Sequence, residues 1–74
     1  MGPIDHLAQA ERHVREGEER VVEQRARLER LIRDRDSQRA ITNGQTVLRN
    51  LERSLELAKE HLEIERRRHG KPPG

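Results

Sequence analysis

The chain has 74 residues and a formal net charge of +2, with 30% hydrophobic and 41% charged residues and neither aromatics nor cysteines. Those numbers bound it to one domain at most and exclude a disulfide scaffold, thiolate zinc ligation and cysteine nucleophiles. No apolar run approaches the ~20 residues that a membrane-spanning helix needs, and Met1-Gly2-Pro3-Ile4-Asp5 lacks the basic-then-apolar order of a secretory leader.

The charge is mixed rather than one-sided. Residues 1–35 carry as many acidic as basic side chains, and the small positive excess falls in residues 36–74. Acidic residues precede arginines by four at Glu11–Arg15, Glu16–Arg20, Glu23–Arg27, Glu29–Arg33 and Glu63–Arg67. On a helix each such pair adds roughly 0.2–0.5 kcal/mol, in the order that suits the helix dipole.

The first periodic stretch runs from about residue 4 to 34. Leu7, Val14, Val21 and Leu28 recur at sevens, and Ala10, Gly17, Gln24 and Leu31 follow each of them by three. That is a heptad seam, predicting a long helix with one apolar edge. Gly17 inside it implies a close approach between helices, with a bend as the rival reading, and Gln24 is a polar intrusion. Residues 34–37, Asp-Arg-Asp-Ser, make a turn, and Asp36 or Ser37 can accept hydrogen bonds from the free amides that open the next helix. So short a connection folds the two helices back antiparallel.

The second stretch runs from about 38 to 68. Ile41, Leu48, Leu55 and Leu62 recur at sevens, with Gly44, Leu51 and Ala58 three residues after the first three of them. Asn43-Gly44 is a hairpin-turn dipeptide between strands, but no alternating pattern flanks it, so it predicts fraying of the early helix instead. Residues 69–74 close the chain with Gly, Lys and Pro and predict a disordered tail.

The expected architecture is therefore all-α. It is one helical-hairpin domain over 1–74, completed by dimerisation into a four-helix bundle, because the seam of two helices stays half wet and small chains need a staple or a partner. The expected self-association seam comprises Leu7, Val14, Val21, Leu28 and Leu31 with Leu48, Leu51, Leu55 and Leu62. Leu57 and Ile64, one heptad apart and off that stripe, are candidates for a second contact.

Chemistry finds little purchase. There is no phosphate-cradling glycine loop and no His-Glu-x-x-His pair, and Ala10 and Ala58 stand where a di-iron bundle places glutamate before His13 and His61. No cofactor, no metal and no enzymatic activity are expected. A His/Glu metal-binding bundle remains as a minor alternative, because antiparallel pairing brings His13 within about a turn of His61. The Glu52, Glu56, Glu60 and Glu63 strip reads as a solvated face. Arg25, Arg27, Arg30, Arg33, Arg35 and Arg39 cluster near the turn and are the candidate anion contacts of a nucleic-acid-associated regulator. Interleaved acids and the lack of stacking aromatics argue against that reading. Nothing suits a membrane surface.

Asp5-His6-Leu7-Ala8-Gln9-Ala10-Glu11-Arg12-His13-Val14, with Glu16-Gly17-Glu18 and Gln24-Arg25 after it, resembles the opening of a group of short proteobacterial proteins common in rhizobia and relatives. The turn at 34–37 and Leu51-Glu52-Arg53-Ser54-Leu55-Glu56-Leu57 are similar in weaker form, so the likeness spans about residues 5–62. Those proteins usually carry a glycine at the turn, and commonly an aromatic where Leu51 stands. The resemblance implies a soluble, cytoplasmic bacterial two-helix protein and assigns neither an activity nor functional residues.

Overall fold

The computed structural model describes residues 5–69. It contains two helices, α1 over Asp5–Arg33 and α2 over Gln38–His69, packed against each other as a hairpin. The tail expected over 69–74 falls outside the described residues except for His69, which ends α2.

The turn is held by its backbone. Asp36 N–H donates to the Leu31 carbonyl at 2.9 Å and Arg35 N–H donates to the Ile32 carbonyl at 3.1 Å. These are the two crossed bonds of a Schellman helix stop, whose turning residue must adopt a left-handed conformation. Glycine usually fills that place; here Arg35 does, at φ 54°. α2 then starts on a side-chain cap. The Ser37 hydroxyl accepts from Ala40 N–H at 3.1 Å, and the Asp36 carboxylate accepts from Ser37 N–H at 2.8 Å.

The heptad pattern decides which side chains leave water. In α1 every described residue that is not exposed lies on the seam, from Leu7 and Ala10 through Leu28 and Leu31. In α2 the same holds from Ile41 to Glu65, with only Ala40 and Glu52 added from the flanks. Ala10, Val21, Leu55 and Leu62 form the buried apolar core. Leu7, Val14, Leu28, Leu31, Leu48 and Leu51 are only half-buried.

The glycines set the spacing between the helices. A Cβ on Gly17 would lie 3.1 Å from Leu55 Cδ1, and one on Gly44 would lie 3.2 Å from Leu28 Cδ1 and 3.5 Å from Leu31 Cδ1. The two contacts share one antiparallel register, which sets Ala10 across from Leu62, Val14 from Ala58 and Val21 from Leu51. Small residues on one helix thus face large ones on the other, which lets the backbones approach. The close approach expected of Gly17 is what its contact with Leu55 describes, and α1 is unbroken there.

Fraying at Asn43-Gly44 is not observed. α2 is continuous across both residues, and Gly44 is buried. The reason is tertiary: Leu28 and Leu31 cover Gly44, and the Gln24 side-chain amide donates to its carbonyl at 3.1 Å in a buried hydrogen bond. Local propensity favoured fraying; packing against α1 overrides it.

Candidate functional site

All nine residues of the expected seam lie between α1 and α2 of a single chain. Val21, Leu55 and Leu62 are buried there, and Leu7, Val14, Leu28, Leu31, Leu48 and Leu51 are half-buried. The seam is therefore the hairpin's own core first, and a contact with another molecule has to reach it from one of its two flanks.

The flanks differ in kind. On one, Arg25 and Glu52, each directly after a seam residue, bond at 2.9 Å across the helices. On the other flank the hairpin is open along its length. Near the turn lies a groove of about 320 Å³ between Leu31 and Val47; another of about 540 Å³ runs between Arg20, Arg27 and Leu51. A third, about 170 Å³, reaches Gly17 and Leu55, and a fourth, about 260 Å³, lies between His6, His13 and His61. The half-buried seam leucines Leu31 and Leu51 line this open flank.

Leu57 and Ile64, the expected second contact, are 60% and 48% exposed, and Val47 is 45% exposed. All three lie on the open side of α2. The other exposed large apolar residues, Val22 and Ile32, lie elsewhere on α1.

The expected anion-binding arginines do not form one face. Arg25 is held by Glu52 on the charged flank, Arg27 and Arg30 line the open flank beside Glu23, and Arg33 and Arg39 occupy outward heptad positions. Arg35 serves the turn. A helix turns 100° per residue, so their sequence clustering becomes a spray of directions in space.

His6 and His13 of α1 and His61 of α2 line one groove together with Glu65. Glu65 itself is 4% exposed, with His61 Nε2 at 4.0 Å and Arg68 at 3.8 Å. The seam expected from the sequence ends at Leu62 and does not include Glu65. The signal was available, since Glu65 stands three residues after Leu62 and continues the heptad. Among the described residues no three His, Asp or Glu side chains come together so as to hold a metal ion, so the metal-bundle alternative has no site there.

Of the five helix-surface pairs counted in the sequence, Glu63–Arg67 reaches ion-pair distance, at 3.6 Å. Exposed side chains in water gain too little to hold such pairs fixed. No helix among the described residues is long and apolar enough to cross a membrane. No family model, no curated protein and no solved structure matches this chain.

Proposed function

We propose that the protein is a non-enzymatic helical hairpin that acts by self-association, a dimer of hairpins forming a four-helix bundle that presents a surface to other proteins. One observation carries the reading: the hairpin leaves its apolar surface unfinished. None of its described large side chains is fully buried, six seam residues are half-buried, and Val47, Leu57 and Ile64 are open to water beside them. A chain of this size without cysteine has no disulfide to compensate, no metal-holding cluster stands among the described residues, and association is the way left to dry that surface. The bacterial, cytoplasmic setting and membership of the short proteobacterial two-helix group belong to the same proposal, resting on the stretch from Asp5 to Val14.

Sedimentation equilibrium over a concentration series tests the reading. The expected result is a reversible monomer–dimer equilibrium, with a melting temperature that rises with concentration because association stabilises the folded state by mass action. A fully helical monomer with a concentration-independent melting temperature would refute it.

A further inference from the structure

The open flank carries a second pattern. From Ala40 to Ile64, α2 has a stripe at alternating steps of three and four residues, one position to the side of the seam, and no member is charged in a chain that is 41% charged. Every Asp, Glu, Lys and Arg between residues 39 and 63 lies on the other faces of α2. The matching rail of α1, by contrast, is charged: Glu16, Arg20, Glu23 and Arg27 alternate along it.

We infer that this stripe is the dimer contact, and that its occupant is the same stripe of a second copy, running antiparallel about a two-fold axis near residue 52. The inference rests on the self-association proposed above and names its surface and register. The stripe reads the same in chemistry from either end. Reversed on itself, it sets Ala40 of one copy opposite Ile64 of the other, Asn43 opposite His61, Val47 opposite Leu57 and Asn50 opposite Ser54. Apolar residues meet apolar ones, small against large, and polar groups meet polar groups that can hydrogen-bond. A two-fold contact demands this kind of self-complementarity, because each residue's partner must also be its partner's partner. An arbitrary protein ligand makes no such demand.

The charged rail of α1 does not add to the contact: the hairpin's register sets residue 20 level with residue 52, so the same axis puts Arg20 level with Arg20 and Glu16 beside Glu23 of the second copy, and the two rails have to stand apart. The contact also closes the side from which Leu31 and Leu51 are wetted. α2 packs on α2 of the second copy, with the two α1 helices flanking the pair.

Two experiments test this. In the first, Val47→Glu together with Leu57→Glu is compared with Val22→Glu, whose site is 64% exposed on another face. The stripe variant is expected to keep its helical circular dichroism while its dimer dissociation constant rises at least ~100-fold, as for centrally placed interface residues; the Val22 variant keeps the wild-type constant. In the second, the chain's lack of cysteine allows register to be read directly. A mixture of Val47→Cys and Leu57→Cys chains is expected to oxidise to the mixed disulfide and not to either symmetric one. A wild-type chain that never dimerises overturns both the stripe and the function proposed above. A wild-type dimer that survives the double substitution, or that gives the symmetric disulfides, overturns the stripe alone and leaves self-association standing.

Discussion

Arg35 offers a measurable consequence of the turn geometry. It holds φ 54° at the position of the Schellman stop where glycine is usual. A residue with a Cβ costs about 1–2 kcal/mol in that conformation, from the clash of Cβ with the following carbonyl oxygen. Glycine removes the clash but gives the unfolded chain extra freedom, which returns about 0.5–1 kcal/mol of the gain. Arg35→Gly should therefore stabilise the hairpin by about 0.5–1 kcal/mol. For a chain of this size 1 kcal/mol moves the melting temperature by about 4–8 °C, so the expected rise is about 2–8 °C. Circular dichroism at the helix band is the assay, since there is no aromatic residue to report by fluorescence. All variants must be melted at one protein concentration, because association also moves the midpoint. Arg35→Ala keeps the Cβ and removes the charge, so it isolates the electrostatic part and should leave the midpoint near wild type. Arg30→Gly, inside the last turns of α1, should lower stability by about 1 kcal/mol. An unchanged or lowered midpoint for Arg35→Gly refutes the argument, as does an equal rise for Arg35→Ala.

Other substitutions probe the seam. Leu55→Asp places a charge among buried side chains and should abolish helical circular dichroism at 25 °C, whereas Leu57→Asp, at a 60% exposed site, should retain the dichroism of the hairpin. Gly17→Ala should raise the melting temperature more than Gly44→Ala. Both add helix propensity of about 1 kcal/mol, but the Gly17 methyl is tight only against Leu55 Cδ1 at 3.1 Å, with Leu55 Cβ and Cα at an ordinary 3.7 and 3.8 Å, while the Gly44 methyl meets Leu28, Leu31 and Gln24 within 3.7 Å. Gln24→Ala deletes the buried hydrogen bond to the Gly44 carbonyl and should cost about 1–2 kcal/mol in chemical denaturation. A double-mutant cycle on Arg25 and Glu52 should give a coupling of about 0.2–1 kcal/mol that shrinks in salt, because both side chains are about half exposed.

The heptads alone were enough to read two antiparallel helices, because a seven-residue apolar repeat fits only a helix with one dry edge, and a four-residue connection leaves no room for a parallel return. That Leu57 and Ile64 stand off the seam was equally legible, since a helix fixes direction by position. Three features came only with the tertiary structure. Arg35 in a left-handed turn has no local signal, because the residue there is one that ordinarily avoids the conformation; the crossed bonds to Leu31 and Ile32 impose it. The integrity of α2 at Asn43-Gly44 depends on Leu28, Leu31 and Gln24, which lie far away in sequence. The difference between the two flanks also depends on pairing. Acidic and basic residues are interspersed along most of both helices, and that Arg25 meets Glu52 across one flank while the other flank stays open follows from the register that Gly17 and Gly44 set by letting the opposing leucines in.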